Sequence, residues 1–306
     1  MRLVFAGTPA PAVPSLRALH DSPHEIVAVV TRTDAPLGRK RVLTPSPVAA
    51  AAASLGLPTI KADRLDAGAT AGITALAPDL GVIVAYGGLV REPLLSTPPH
   101  GWINLHFSLL PRWRGAAPVQ HALIAGDPVT GAGVFRLVPE LDAGDVYDEL
   151  RYPVPPRASA GDVLAALADQ GAELLVRVVD RIAAGTASAT PQQGEVTYAA
   201  KLTADDGRIR WDETADAVLS RIRGTTPEPG AFTTVAGARL KVLAAHRADR
   251  EPPLAAGRIA LHAGQVLVGT ATAPIALARV QPAGKQAMDA GAWWRGQRQA
   301  EAVAGS

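Results

Sequence analysis

The sequence predicts a two-domain chain: an α/β domain on a mostly parallel sheet, followed by a smaller β-barrel. Three observations carry that prediction. The 306 residues are about twice the ~150 residues of an ordinary domain. Short apolar runs alternate with helical patterns over about the first 140 residues, which favours a parallel sheet covered on both faces. Beyond the small, polar, proline-containing segment Thr186–Glu195 (TASATPQQGE), short β-like runs separated by turn residues replace that alternation, as in small barrels and sandwiches.

The elements follow in order. Leu3–Ala6 is a buried strand ended by the turn Gly7-Thr8-Pro9, and Ile26–Thr31 is a second strand. Ser46–Leu55 is a helix with Ser46 as its cap and Pro47 at the first helical position. Leu80–Ala85 and Trp102–His106 are further strands, Ala116–Ile124 is helical, Val134–Val138 is a strand, and Val163–Ala183 is a long helix closing the domain. After the linker, Ala215–Ile222 is helical. Five strands are expected at Ala231–Val235, Arg239–Ala244, Arg258–Leu261, Gln265–Val268 and Ile275–Val280. A turn-and-helix segment, Gln281–Gln299, ends the chain and carries Trp293 and Trp294. That pair fits either a base-stacking surface or an anchor at a domain interface. The domain boundaries so read are 1–187, a linker at 188–205, and 206–306.

Composition excludes whole classes. The chain is 48% hydrophobic, so wholesale disorder is excluded. It has no cysteine, which excludes disulfides, thiolate zinc sites, iron–sulfur clusters and a cysteine nucleophile. No apolar run approaches the ~20 residues of a membrane span, and the N-terminus lacks a signal-like apolar stretch. A cytoplasmic protein without membrane association is therefore expected, with a monomer as its expected state. The net charge of +2 is uneven: residues 206–306 hold 13 Lys and Arg against 9 Asp and Glu, a net +4, leaving −2 for residues 1–205. Such asymmetry points weakly to a polyanionic partner.

The richest stretch is Asn104-Leu105-His106-Phe107-Ser108-Leu109-Leu110-Pro111. Strand alternation puts Asn104 and His106 on one side, at the carboxyl end of a parallel strand, where open α/β sheets bind ligands. An amide and an imidazole together offer two donors suited to an oxyanion. Taken alone, the pair also fits a hydrogen-bonded asparagine and a core histidine at a strand end. Downstream, Leu141-Asp142-Ala143-Gly144-Asp145 is a turn that can return Asp142 to the same sheet edge. There an aspartate holds a histidine's tautomer and favours its charged form. An Asx turn is the alternative for Asp142.

These residues resemble a known family. NLHFSLLPRWRGAAPVQ (104–120), followed about thirty residues later by LDAGD (141–145), is similar to the 10-formyltetrahydrofolate-dependent formyltransferases. The resemblance implies a Rossmann-like catalytic domain, with Asn104, His106 and Asp142 matching the family's catalytic residues. It implies that Ser108, Leu109, Leu110 and Pro111 lie against the folate cosubstrate, and that no metal takes part. Phe107 stands where the family often has glycine. Further segments, FAGTP (5–9), GRKRVLTPSPV (38–48), Val82–Gly87, TYAAKLTADDGRIRW (197–211) and QPAGKQAM (281–288), resemble the members acting on methionyl-tRNA. They imply a charged initiator methionyl-tRNA as partner and formylation of its α-amine, for translation initiation.

The loop Arg32–Arg41 (RTDAPLGRKR) has four bases and one acid. In the resembled members it enters the acceptor stem, which implies tRNA contacts by Arg39, Lys40 and Arg41. The five expected C-terminal strands fit an OB-like barrel, a common nucleic-acid platform, and its net +4 fits backbone contact with tRNA, with Lys241, Arg279 and Lys285 as candidate phosphate contacts. Rival readings fare worse. The turn after the first strand lacks the G-x-G-x-x-G of a dinucleotide site. Formyltransferases acting on glycinamide ribonucleotide lack a C-terminal barrel domain, and those acting on sugar nucleotides usually carry a different appended domain and lack the PSPV (45–48) and QPAGK (281–285) segments. A catalytically silent tRNA-binding protein would not need Asn104, His106 and Asp142 together.

Overall fold

The computed structural model describes residues 1–38, 41–297 and 301–305. The chain divides into two compact units. The first comprises residues 1–118, 129–153 and 164–199, and the second residues 119–128, 154–163 and 200–306.

The first unit begins with β1 (Arg2–Gly7), α1 (Val13–His20) and β2 (Glu25–Thr31). A two-stranded hairpin follows, β3 (Ala35–Leu37) and β4 (Val42–Thr44). Then come α2 (Pro47–Ser54), β5 (Thr59–Lys61), α3 (Ala67–Ala75), β6 (Leu80–Val84) and β7 (Trp102–His106). The Ser46 hydroxyl accepts the Ala49 amide at 3.0 Å, and Pro47 starts α2, as the serine-proline signature requires. The remaining elements up to residue 199 are β8 (Arg114–Gly115), α4 (Pro118–Ile124), β9 (Val129–Arg136), β10 (Val146–Pro153), α5 (Ala160–Ala183) and β11 (Tyr198–Ala199).

The main sheet has the order β10-β9-β7-β6-β1-β2-β5. The pairings among β5, β2, β1, β6 and β7 are parallel; β9 and β10 run antiparallel at one edge. The expected parallel sheet is therefore present but carries two antiparallel strands. The chain starts in the middle, winds outward to β5, then crosses to β6. That reversal puts a topological switch point between β1 and β6, and ligands of open α/β sheets bind outside the carboxyl ends at such points. Leu3, Val4, Phe5, Val82, Val84, Ile103 and Leu105 are buried, as the near-continuous apolar runs of a doubly covered parallel sheet require.

The second unit contains α6 (Ala215–Gly224), β12 (Phe232–Val235), β13 (Ala238–Arg247), β14 (Arg258–His262), β15 (Gln265–Val268), β16 (Ile275–Pro282), β17 (Met288–Asp289), α7 (Ala290–Arg295) and β18 (Glu301–Val303). Its sheet is antiparallel in the order β12-β13-β16-β15-β14-β18. An antiparallel bridge between Val235 and Ala304, with the Gly305 amide on the Thr234 carbonyl at 2.7 Å, joins the last strand to the first. The five expected strands are thus closed into a barrel by a sixth. Its core holds Trp211, Val218, Ile222, Val242, Ile259, Val268 and Val280. Trp293 and Trp294 belong to this same core, 6% and 4% exposed, with ring centroids 5.8 Å apart. The base-stacking reading does not hold, because both indoles are buried in this unit's own core.

Candidate active site

The carboxyl end of β7 carries the predicted residues. His106 is buried and meets the ring of buried Phe135 edge-on, with centroids 6.3 Å apart at 87°. Its Nε2 lies 2.9 Å from the Trp113 carbonyl. A carbonyl only accepts, so Nε2 carries a proton. The opposite nitrogen, Nδ1, faces Asp142 Oδ2 at 3.9 Å. That distance is too long for a hydrogen bond, so the carboxylate faces the imidazole edge without bonding to it.

Asp142 is held from several directions. It leaves β9 in a turn with φ of +47°, a conformation that short polar side chains tolerate better than most. Its Oδ2 accepts the Gly115 amide at 2.7 Å. The turn closes where the Arg136 amide meets the Asp145 carbonyl at 2.9 Å. Gly144 makes that closure possible, since a Cβ there would sit 1.8 Å from the Arg136 carbonyl oxygen. Gly115 is fixed similarly: its φ is +126°, and a Cβ would come within 2.6 Å of the Ala199 carbonyl oxygen.

Asn104 lies two residues before His106 on β7. Its Oδ1 is buried and has no hydrogen-bond partner among the described residues. Leaving a buried polar atom unpaired costs about 1–3 kcal/mol, and such an orphan at a sheet's carboxyl edge is what a substrate's donor would satisfy. The segment Ser108–Pro111 continues directly from His106. Ser108 is fully buried and gives its hydroxyl to the Arg112 carbonyl at 2.6 Å. Leu110 and Pro111 are buried, whereas Leu109 stays partly open. Phe107 is also buried.

Arg41 is exposed at the tip of the β3–β4 hairpin, with φ of +48° and its amide on the Gly38 carbonyl. Arg39 and Lys40 lie outside the described residues. The stretch read as a shaped loop is therefore a short hairpin arm. Leu37, Val42 and Leu43 on its strands are 60–68% exposed. At its base Lys61 pairs with Asp34 at 2.7 Å. The Thr33 hydroxyl and amide there donate to Asp63 and hold its carboxyl below the usual range.

Sequence reasoning missed the residues that brace the site from afar. Gln192 Nε2 donates to the carbonyls of Asp142 and Gly144, and Thr197 Oγ1 accepts the Trp113 amide at 2.9 Å. The only sequence signal was the position of Gln192 in a proline-containing polar stretch, which reads as linker. Among the described residues, no group of three or more His, Cys, Asp or Glu is placed to hold a metal ion. None of their helices is long and apolar enough to cross a membrane.

Residues 1–179 match the family model for formyl transferase, and residues 201–298 match that for the formyl transferase C-terminal domain. The chain belongs to the formyl transferase family. It is 62% identical over 296 residues to a methionyl-tRNA formyltransferase of Clavibacter sepedonicus, covering 97% of both chains. Among solved structures, this formyl transferase is similar to methionyl-tRNA formyltransferase from Clostridium thermocellum. That likeness has a TM-score of 0.58 at 13% identity and covers 82% of this chain and 95% of that one. It is also similar to HypX from Aquifex aeolicus, solved in complex with tetrahydrofolic acid. Here the TM-score is 0.64 at 16% identity, covering 96% of this chain and 46% of that one. At such identities the two structures speak for the fold: a mostly parallel Rossmann-like sheet followed by an antiparallel barrel.

Proposed function

We propose that this formyl transferase moves a formyl group from N10 of 10-formyltetrahydrofolate to the α-amine of methionine esterified to initiator tRNA. The product is N-formylmethionyl-tRNA for translation initiation, made in the cytoplasm by a monomer. The observation that carries the reading is the cluster at the end of β7. There a buried, unpartnered Asn104 oxygen sits two residues before an imidazole that faces a carboxylate. The near-complete likeness to a relative bearing the methionyl-tRNA formyltransferase name supports the acceptor.

The amine is nucleophilic once deprotonated, so a cysteine-free chain loses nothing by lacking a protein nucleophile. The amine nitrogen bonds to the formyl carbon and a tetrahedral alkoxide forms. Asn104 Nδ2 and His106 Nε2 stabilise it as donors. An alkoxide is a stronger acceptor than the Trp113 carbonyl and takes over the Nε2 proton's bond. Asp142 keeps the imidazole oriented. The alkoxide then collapses, the bond to N10 breaks, and the proton lost by the amine passes to that nitrogen, with water as carrier. Ser108–Pro111 line the folate, with Leu109 left partly open to meet it. Residues 1–187 form the catalytic domain, 188–205 the linker, and 206–306 the domain contacting tRNA. Arg39, Lys40 and Arg41 contact tRNA phosphates.

Asn104→Ala, His106→Ala and Asp142→Ala each lower turnover by at least ~10²-fold, the usual cost of losing an oxyanion donor. Thermal unfolding stays near that of the parent. Near-normal turnover in all three would sink the assignment.

A further inference from the structure

The hydrogen bonds around Gln192 engage both ends of its side-chain amide. Nε2 donates to the Asp142 and Gly144 carbonyls, each at 2.8 Å. Oε1 accepts from Arg114 Nη2 at 2.6 Å and Nε at 3.2 Å. Carbonyls only accept and a guanidinium only donates, so this arrangement fixes which end of the amide is which.

The bonds span the site. On one side is the turn bearing Asp142; on the other is β8, whose Gly115 amide holds the Asp142 carboxylate. The rest of the stretch reinforces them. Thr190 and Val146 exchange backbone bonds at 2.8 and 2.9 Å, and the Thr197 carbonyl accepts the Arg114 amide at 2.9 Å. Thr197 Oγ1 accepts the amide of Trp113, whose carbonyl anchors His106.

We propose that Gln192 is a positioning residue for formyl transfer. It ties the Asp142 turn to β8, so that the carboxylate faces His106 Nδ1. This rests on the transfer reading above. Gln192 acts on the reaction only through Asp142. Its removal unpairs two carbonyls of a turn that already holds Asp142 at positive φ, and so loosens the backbone that aims the carboxylate.

Two variants separate positioning from simple bracing. Gln192→Met keeps length and loses every hydrogen bond. Gln192→Glu keeps an acceptor for Arg114 and loses both donors to the turn. Both are expected to lower kcat by roughly 10- to 100-fold, the scale of a small misplacement in an active site. KM for 10-formyltetrahydrofolate and for methionyl-tRNA stays within about twofold. In substrate-free protein the Gly115 amide proton, shifted downfield by its carboxylate acceptor, moves upfield in both variants. If Gln192→Met fails to fold, Gln192→Glu alone decides. An unchanged Gly115 resonance, a kcat within about twofold of the parent, or a kcat loss that only tracks the folded fraction overturns the role. Absence of formylation by the parent overturns the transfer reading instead, and the Gly115 resonance still reports whether Gln192 holds the turn.

Discussion

Gly115 shows how much one residue can carry. Its amide donates to Asp142, its φ of +126° is open only to glycine, and the Ala199 carbonyl occupies the space a methyl would need. Gly115→Ala must therefore push β8 off β11 and pull the amide from the carboxylate. The expected result is a fall in kcat of roughly 10²-fold with a destabilisation of about 1–3 kcal/mol, read by steady-state kinetics and thermal unfolding. A stability loss with kcat unchanged would mean that the Gly115–Asp142 bond does not position the carboxylate. At this scale strand alternation put Asn104 and His106 on one side of β7, and the turn after β9 brought Asp142 back to face His106; the roles given to the three residues came from the family resemblance. Gln192 and Thr197 were not legible, since a bond spanning 50 or 84 residues leaves no period in the sequence. Nor was the inward turn of the Ser108 hydroxyl, which a neighbouring backbone carbonyl decides.

Among the elements, those with a continuous apolar run or a cap were readable. Trp102–His106 and Gln265–Val268 coincide with β7 and β15, and the Ser46 cap starts α2. The hairpin was read as loop because its strands are three residues each, one containing Pro36. Strand β10 escaped notice because its charged, partly exposed residues carry no buried run, and β18 because it is three residues long. Arg41, exposed at the hairpin tip, gives this element its prediction. Arg41→Ala should lower kcat/KM for methionyl-tRNA and reduce the slope of its logarithm against log salt by about 1, one phosphate contact's share. KM for folate should not move. An unaltered salt slope would remove Arg41 from the tRNA contact.

Across the molecule, the two units have separate cores, and charge is uneven along the sequence. The −2 of residues 1–205 includes the basic hairpin stretch, and the +4 falls on residues 206–306. The C-terminal unit's indoles are core, which argues against base stacking by Trp293 and Trp294. Zero cysteines agree with direct attack by the substrate amine. The central claim is the identity of donor and acceptor, and one assay reaches it most directly: purified chain, 10-formyltetrahydrofolate, and methionylated initiator tRNA beside methionylated elongator tRNA. Folate-dependent formylation of the initiator is expected at a kcat/KM well above that of the elongator. Equal rates on both tRNAs, or no formyl transfer to either, would contradict it.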